Sequence, residues 1–492
     1  MCWPNWGFPK RRNRPSRTRR FEYSRPVSSL FVLPTWRSAM SKNPAESKGS
    51  SGVDRREFLR TGARAGAVGA GIVAGLSLNR SVHAQGSDII RIGMIGCGSR
   101  CSGAAVQALS TGDDVRLVAM CDVFPERLEA SLTNIRKVKP DQVAVDNDHK
   151  FTSFDGYRHV IEASDVVLIA CASKFHPMYA EAAIQAGKHV FVEKPHGIDP
   201  VGVRRMAKVC ELAKEKGLSI QSGLQSRYSL AWQETMKRIH DGIIGDIVAT
   251  QSMFLRGPYR VYDRDPRLTE VQYHFYNWYH FCWLSGDDVP QSLVHNMDRM
   301  TWALQGETPK WCFSLAGRAT SFGTKYGDMF DHHTVVYEYE SGARVYAMCR
   351  TQNGTYGNSS DIIMGTKGVC YLGRSRIEGE TNWQYSGPGN NPYQTEHDVL
   401  FDAIRKNEPI NAGDYMAKST MVTVLGQLAA YTGKPMTYAE VEQLDFEYKP
   451  SPEEASFEVD PPTLPGPDGN YPLPIPGVTN LDWLAGPRRP AG

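Results

Sequence analysis

The sequence lacks the features that would assign it to several common classes of protein. Its weakly apolar stretch, residues 65–78, is rich in glycine and too short to cross a bilayer, so we expect no stable membrane span. Cys97 and Cys101 have no second pair that would complete a metal site, so we predict no metal. No serine nucleophile elbow and no nucleic-acid-binding motif stand out. The chemistry must therefore come from other residues.

Acidic residues are scarce only at the N-terminus. Residues 1–39 hold nine Lys or Arg and one acid, Glu22, and residues 40–84 hold seven basic and three acidic residues. The rest of the chain has 40 basic and 49 acidic residues, an excess that makes it a poor nucleic-acid binder. We predict that residues 1–53 are a disordered basic leader and that translation starts at Met40.

The stretch from Ile89 to Asp122 organises the chain. An apolar run, residues 89–95, predicts a buried parallel strand, a helix-like segment follows a glycine turn, and residues 115–121 predict a second strand that ends at Asp122. Such a turn presents backbone N–H groups and a helix N-terminus to a pyrophosphate. A carboxylate about twenty residues further on binds ribose hydroxyls and repels a 2′-phosphate. This pattern predicts an NAD site, although Cys101 stands where a third glycine is usual; the alternative is a strand–turn–helix without a ligand.

Strands and helices continue to alternate after Asp122, which predicts a doubly wound parallel sheet over residues 88–225. Ligands of such sheets lie beyond the carboxyl ends of the strands. One of these ends is Glu193-Lys194-Pro195. A lysine there can hydrogen-bond a substrate hydroxyl and stabilise a developing alkoxide, although a solvated loop lysine is the alternative.

Four motifs together resemble one family. Gly96-Cys97-Gly98, Asp122, the Cys171-Ala172-Ser173 segment with His176, and Glu193-Lys194-Pro195 are similar to those of the Gfo/Idh/MocA (glucose–fructose oxidoreductase / inositol dehydrogenase) family. The resemblance runs from about Ile89 to about Glu442. It implies a Rossmann domain followed by an α+β domain with a large, mainly antiparallel sheet. The cofactor contacts that we expect are Gly96, Cys97, Gly98, Ser99, Arg100, Asp122, Ala172, Ser173, His176, Glu193, Lys194 and Gln225.

The second domain is predicted to span residues 226–450, since β-branched and aromatic runs joined by glycine turns indicate antiparallel hairpins there. Eleven of the chain's 30 prolines fall from Pro450 onward. We therefore expect residues 451–492 to be an extended tail that wraps the surface or a partner subunit.

The catalytic candidates lie between residues 277 and 298. The resemblance implies a helix on which an acid precedes a histidine by four residues, so that both face the substrate. His295 matches the histidine, the predicted general base, but the position of the acid is Gln291. Asp287, Asp288 or Asp298 could supply the carboxylate, and Asp298 is the preferred substitute. Predicted catalytic residues are thus Lys194, His295 and Asp298, and predicted substrate contacts are Arg227, Tyr228, Trp278, Tyr279 and Gln291.

Residues 54–84 resemble a twin-arginine export signal. Arg55-Arg56 precedes Phe58-Leu59 and a Gly/Ala stretch, and cleavage after Ala84 would leave Gln85 at the mature N-terminus. This route carries folded proteins, which implies an interaction with the twin-arginine export machinery and a periplasmic or other extracytoplasmic location. Because no free NAD pool exists there, we expect a tightly held cofactor.

The leading hypothesis is an exported NAD-dependent dehydrogenase that acts on a sugar, polyol or glycoside. One alternative is an NAD-dependent, redox-neutral glycoside hydrolase or lyase, as among relatives with similar export signals. Another is a non-catalytic sugar-binding homologue, for which Gln291 is the one supporting feature. The resemblance also implies a homo-oligomer, either a dimer or a tetramer.

Overall fold

The computed structural model describes residues 89–488. The predicted leader, the start at Met40, the export signal and the last four residues of the tail lie outside the described residues. The described part begins with the first strand of the predicted nucleotide-binding domain and ends at Arg488.

Short apolar runs form a parallel sheet of six strands within the described residues. Its central strand β1 is buried on both faces, as expected where helices cover a parallel sheet on both sides. The spatial order is β3-β2-β1-β4-β5-β6, and all neighbours pair in parallel. The strands are β1 (Ile90–Ile95), β2 (Val115–Cys121), β3 (Lys150–Phe151), β4 (Val166–Ile169), β5 (His189–Val192) and β6 (Ile220–Ser222).

Helices connect these strands and cover both faces of the sheet. They are α1 (Ser99–Leu109), α2 (Pro125–Val138), α3 (Gly156–Ala163), α4 (His176–Gln185) and α5 (Pro200–Glu215). Local sequence fixes the start of α5, since the carboxylate of Asp199 accepts a hydrogen bond from Gly202 N at 2.8 Å and Pro200 occupies the first turn. The strand order reverses between β1 and β4, so the carboxyl ends of β1, β2, β4 and β5 open into one crevice.

A second, mixed sheet holds nine of the described strands, in the order β14-β13-β12-β11-β7-β10-β9-β8-β15. The neighbours pair antiparallel except β7 and β10, which are parallel. These strands are β7 (Ile247–Arg256), β8 (Trp311–Gly317), β9 (His332–Glu338), β10 (Arg344–Thr351), β11 (Asn358–Gly365), β12 (Gly368–Tyr371), β13 (Arg376–Gly379), β14 (Trp383–Gln384) and β15 (Met436–Thr437).

The second domain also contains helices, of which α9 (Val294–Ala303) and α11 (Gly413–Thr432) pack against this sheet. The helices are α6 (Leu230–His240), α7 (Glu270–Tyr276), α8 (Cys282–Ser285), α9 (Val294–Ala303), α10 (Pro392–Lys406), α11 (Gly413–Thr432) and α12 (Tyr438–Gln443). Helix α11 is buried nearly all round, because it packs against β8 and α9 on one side and against α5 of the first domain on the other. The two domains therefore share one apolar core.

The tail packs against its own chain. It contains one short helix, α13 (Leu481–Ala485), and Arg488 forms a 2.7 Å ion pair with Asp328 in which both side chains are fully buried. Gly477 N donates to Thr432 O at the end of α11. The described tail is thus bound to the second domain at these points, and Glu453 also pairs with Arg205 of the first domain.

The predicted fold class is confirmed: a Rossmann-type parallel sheet precedes a second, mainly antiparallel sheet. The pattern of the sequence did not predict α3, α7, α12 or α13. Each has eight residues or fewer, too few for a helical period to be recognised in the sequence. Within residues 89–488, no helix is both long and apolar enough to cross a membrane.

Candidate active site

The glycine turn between β1 and α1 is shaped by close approach of the backbone. Gly96 has φ +89°, and a Cβ atom there would lie 2.7 Å from Ala170 O, so only glycine fits without a shift. A Cβ atom at Gly98 would meet no heavy atom within 4 Å. Helix α1 begins at Ser99 without a side-chain cap, which leaves N–H groups of its first turn for an anion.

Asp122 holds this turn from the end of β2. Its Oδ2 accepts a hydrogen bond from Cys97 N at 2.8 Å, and its Oδ1 accepts one from Phe124 N at 2.9 Å. Burial raises the pKa of the carboxyl above its usual range, although both hydrogen bonds favour the ionised form. Each carboxylate oxygen keeps acceptor capacity for a further donor such as a ribose hydroxyl.

A cavity of about 670 Å³ extends from this turn along the carboxyl edge of the first sheet. Such a volume is within the range of pockets that hold cofactors. The cradle beside Gly98, the uncapped start of α1 and the carboxylate of Asp122 all open on it, so the residues fit a dinucleotide. Of the predicted cofactor contacts, the cavity is lined by Gly96, Cys97, Gly98, Ser99, Arg100, Asp122 and Ala172.

Arg100 and Glu193, two predicted cofactor contacts, bind each other. Arg100 Nε donates to Glu193 Oε1 at 2.5 Å, and its Nη2 lies 3.3 Å from Glu396 Oε1. The guanidinium also stacks on Tyr393, with 4.9 Å between Cζ and the ring centroid. Glu193 therefore acts on the site through Arg100 and through its neighbour Lys194, and it does not line the cavity.

Lys194 follows β5 and is joined to Pro195 by a cis peptide bond. Its Nζ donates to the backbone carbonyl of Gln291 at 2.7 Å. An ammonium group has three donors, so this contact orients the side chain and leaves two for a substrate oxygen. A residue of the second domain thus positions the lysine of the first.

Gln291 lies in a turn of π-helix, Val289–Leu293, immediately before α9. The wider turn replaces the regular helix that we expected between residues 291 and 295. The Oε1 atom of Gln291 accepts a hydrogen bond from Ser173 Oγ at 3.0 Å, and both side chains are buried. Ser173, predicted to bind the cofactor, therefore holds Gln291 instead, and the Gln291 side chain is committed to this partner.

His295 lies in the first turn of α9 and stacks against Phe254. Within residues 89–488, its Nδ1 is buried and has no hydrogen-bond partner. Burial lowers the pKa of the imidazole well below its usual range, and the positive charges of Lys194, Arg299 and Arg100 lower it further. The ring is therefore neutral at physiological pH, which suits a proton acceptor.

The carboxylates expected to assist His295 have other partners, which corrects the prediction. Asp298 is fully buried and bonded to Arg227 Nη2 at 2.8 Å and to Ser419 Oγ at 2.9 Å. Asp287 accepts hydrogen bonds from His333 and Tyr431, and Asp288 pairs with Arg256 at 2.5 Å. Helical spacing alone did not show that a basic side chain lies beside each of them.

The predicted substrate contacts separate into two groups. Trp278 and Tyr279 line the cavity, but Tyr279 stacks on both Trp278 and Tyr259, with centroids 3.9 and 4.2 Å away. Because both neighbours stack on its ring, Tyr279 cannot stack on a sugar as well, and its hydroxyl is hydrogen-bonded to the Gln291 side chain. Arg227 is held by Asp298 and by two aromatic rings, so its predicted role as a substrate contact is not supported.

Three further predicted residues hold the scaffold. The hydroxyl of Tyr228 lies against Gln221 and Tyr415. Gln225 Nε2 donates to Tyr393 OH at 3.0 Å. The ring nitrogens of His176 face the carbonyls of Pro195 and Cys171 at 2.8 and 3.2 Å, so this histidine joins two strand ends without facing the cavity.

Sequence reasoning missed the wall of the cavity that lies opposite the glycine turn. Its residues are Phe124, Arg127, Phe154, Arg260, Tyr262, Phe275 and Tyr276. The available signals were Phe124, the N-cap residue of α2, and Arg127 in its first turn, which lie two and five residues after Asp122. The others come from the second domain or from surface loops, and no sequence spacing relates them to the nucleotide motif.

The cleft combines a dinucleotide cradle, a lysine at a strand end and a neutral histidine. This combination is typical of nucleotide-dependent oxidoreductases with two domains. Residues 90–224 match the family model GFO_IDH_MocA, described as the oxidoreductase family with an NAD-binding Rossmann fold. Over these residues the chain matches the Gfo/Idh/MocA family, as its motifs predict, and its cofactor is NAD.

Relatives with assigned functions are distant. An inositol 2-dehydrogenase of Rhizobium meliloti (strain 1021) is 26% identical over 309 residues, which cover 61% of this chain and 81% of that protein. Glycosyl hydrolase family 109 protein 1 of Bacteroides fragilis (strain YCH46) is 24% identical over 170 residues, 34% of this chain and only 35% of that protein. The solved structure of levoglucosan dehydrogenase in complex with NADH aligns at TM-score 0.55 and 16% identity, covering 72% of this chain and 100% of that one, and shows the shared fold.

Proposed function

We propose that this chain is an exported, NAD-dependent dehydrogenase that oxidises a hydroxyl group of a sugar, polyol or glycoside and keeps its cofactor tightly bound. The observation that carries the proposal is the contact between Lys194 Nζ and the Gln291 carbonyl, which places an ammonium group beside the neutral imidazole of His295. Lys194 follows β5 at the carboxyl edge of the first sheet, and neither Lys194 nor His295 is among the residues that line the cavity of about 670 Å³.

Some of the site residues would bind the cofactor, and others would act on the proton of the substrate hydroxyl. The first turn of α1 and Gly98 would hold the pyrophosphate, and Asp122 would accept hydrogen bonds from the adenosine ribose, which favours NAD over NADP. When bound, NAD supplies a hydride acceptor at C4 of the nicotinamide.

Lys194 and His295 act on the reacting hydroxyl. Two N–H donors of Lys194 bind the hydroxyl oxygen and stabilise the negative charge that develops on it. A ring nitrogen of His295 accepts the hydroxyl proton. The imidazolium that forms lies near three cations, so the proton leaves it readily for solvent and the neutral base is restored.

The test uses purified full chain prepared without added nucleotide. We expect about one NAD per chain to be released on denaturation, and we expect a sugar or polyol to reduce the bound cofactor before denaturation, seen as nicotinamide absorbance. Protein that binds no nucleotide when titrated with NAD would contradict the proposal.

A redox-neutral glycoside hydrolase is the second candidate. The family 109 relative supports it, as does the export signal, because such a reaction needs no supply of reduced cofactor. Release of an aryl group from glycosides while bound NAD stays oxidised would decide for the hydrolase.

The proposal includes export of the folded chain from the cytoplasm. The Arg55-Arg56 motif supports secretion through the twin-arginine machinery, and all nine cysteines of the described residues are free, as expected for folding in a reducing compartment. Cell fractionation should place the processed chain outside the cytoplasm. N-terminal mass spectrometry should find no peptide from residues 1–39.

A second copy of the chain is the partner that we propose for the outer face of the large sheet. The register places Phe313, Val336 and Tyr346 side by side on that face, and Leu315 lies two residues further along β8. Phe313, Leu315 and Tyr346 are exposed. Light scattering of the purified chain should give the mass of a dimer or tetramer, and a monomer would contradict this part of the proposal.

A further inference from the structure

One wall of the cofactor cavity comes from the second domain. Residues 260–279, which we name the cover, contain α7 and contribute Arg260, Tyr262 and Tyr276 to the lining beside Phe124 and Asp122 of the first domain. The cavity therefore has the glycine turn on one side and an aromatic wall on the other. A nucleotide bound there lies between two parts of the chain that belong to different domains.

Arg127 of the first domain is hydrogen-bonded to the cover, on which Phe124, Phe154 and Phe175 pack through their rings. Its Nη2 donates to the backbone carbonyl of Tyr276 at 2.5 Å. The guanidinium also lies over the rings of Tyr276 and Tyr262, with Cζ 4.3 and 5.6 Å from the centroids, and 5.0 Å from that of Phe124. A planar guanidinium can donate along its edge while it stacks through its face, which a lysine cannot do.

The guanidinium of Arg127 is not neutralised by a salt bridge within the described residues. Among the ion pairs of residues 89–488, none joins Arg127 to a carboxylate within 4 Å. Asp122 is close enough to interact with it electrostatically but is held by two backbone N–H groups. Hydrogen bonds from a charged donor are stronger than neutral ones, so the contact with Tyr276 contributes substantially to closing the cover.

The tail braces the same wall from outside. Phe457 packs against Phe124, Phe154 and Phe275, with ring centroids 5.7, 5.0 and 5.5 Å away. Phe124 and Phe154 belong to the first domain and Phe275 to the cover. One tail residue thus packs across the junction that Arg127 closes.

We propose that Arg127 is the latch of the cofactor site: its bond to the cover encloses the adenosine half of the nucleotide and makes nucleotide release slow. The inference rests on the proposed NAD site and gives the physical means by which an exported chain would retain its cofactor. Arg127 is a positioning residue in this account, since the reacting hydroxyl lies at the other end of the nucleotide.

The experiment measures release directly and does not depend on turnover. Full chain loaded with NADH is mixed with excess NAD, and the loss of bound NADH fluorescence gives the dissociation rate. We expect Arg127→Met, which keeps the apolar stem but removes the donor and the charge, to release NADH about tenfold faster or more. Arg127→Lys should fall between Arg127→Met and the wild type, because it keeps the charge without the planar fork.

Arg136→Met is the matched control. Arg136 lies on the same helix, and its Nη2 also donates to a backbone carbonyl, that of Val145 at 2.6 Å, but it does not line the cavity. This variant should release NADH at the wild-type rate.

The outcomes separate this inference from the proposed function. If Arg127→Met and Arg127→Lys fold, as judged by circular dichroism, and release NADH at the wild-type rate, the latch is refuted while the NAD site stands. If the wild type binds neither NADH nor NAD, the proposed function itself fails. Should Arg127→Met not fold, the rate for Arg127→Lys decides alone.

Discussion

The cofactor side and the substrate side of the crevice are formed by different kinds of chemical groups. On the cofactor side, the turn at Gly96, the start of α1 and the contacts of Asp122 consist mostly of backbone N–H groups fixed by local sequence. On the substrate side, Lys194, Gln291 and Ser173 come from three separate segments and meet through single hydrogen bonds. Backbone geometry sets the first half, and tertiary packing sets the second.

Because of this difference, substitutions on the cofactor side and on the substrate side should affect different properties of the protein. A side-chain change on the cofactor side alters affinity or the turn itself, because the same backbone supports both. A change on the substrate side alters the chemical step while the fold and the cofactor remain. Substitutions on the two sides of the crevice should therefore have separable effects.

Replacement of Lys194 should give the largest loss of activity. In Lys194→Met we expect kcat to fall between about a hundredfold and ten-thousandfold, because the donor to the developing alkoxide is gone. NAD content should not change. Lys188→Met is the control: Lys188 lies just before β5, and its Nζ also donates to a backbone carbonyl, Ser164 O at 2.6 Å. Equal activity of Lys194→Met and Lys188→Met would remove Lys194 from the mechanism.

The two glycines of the turn should respond differently to alanine. Gly96→Ala forces a side chain into positive φ and against Ala170 O, which should cost about 1–3 kcal/mol of stability and most of the NAD binding. Gly98→Ala meets no heavy atom, so it should keep its melting temperature yet bind NAD more weakly, since its Cβ stands where the pyrophosphate approaches. Calorimetry with NAD titration checks both. Similar melting temperatures for the two variants would contradict the account of Gly96.

Asp122→Asn tests the choice of nucleotide. We expect NAD affinity to fall about tenfold, since amide and carboxylate differ as acceptors, and discrimination against NADP to shrink as the negative charge is lost. Titration with each nucleotide measures the two effects. Asp141→Asn, a change at an exposed residue of the same domain, should alter neither. Unchanged discrimination would show that Asp122 does not face the ribose.

Gln291→Glu should shift the pH dependence of activity. The variant keeps the shape of the side chain and its acceptor for Ser173 but adds a negative charge near His295, which raises the pKa of the imidazole. Because the neutral ring is the active form, activity is lost as pH falls through this pKa. The acid limb of kcat/KM should therefore move up by about one pH unit. Gln305→Glu, beyond the end of α9, should leave the limb in place.

Much of the cofactor side could be predicted from sequence, because glycine spacing, strand periodicity and an acid at a strand end are local signals. The positions of Gly96, Gly98 and Asp122 against the cavity follow from them directly. Lys194 could be predicted as a strand-end residue, but its partner could not, since the Gln291 carbonyl is a backbone atom 97 residues away.

The errors have a common cause. Asp298 and Arg227 were each predicted to be site residues, but in the structure they form an ion pair with each other in the core. Tyr279 was predicted to stack on a sugar ring, but in the structure its ring stacks with Tyr259 and Trp278. Sequence spacing shows which side chains share a helix face, whereas their partners from other segments decide which of them remain available.

Transfer of deuterium tests the central claim most directly. A sugar or polyol that reduces the bound cofactor is supplied with deuterium on its reacting carbon, and the cofactor is then released and analysed by mass spectrometry. Our account predicts reduced nicotinamide that carries one deuterium at C4 in the wild type, and almost none in Lys194→Met with the same NAD content. Cofactor that is reduced without deuterium, or labelled equally in both proteins, would contradict it.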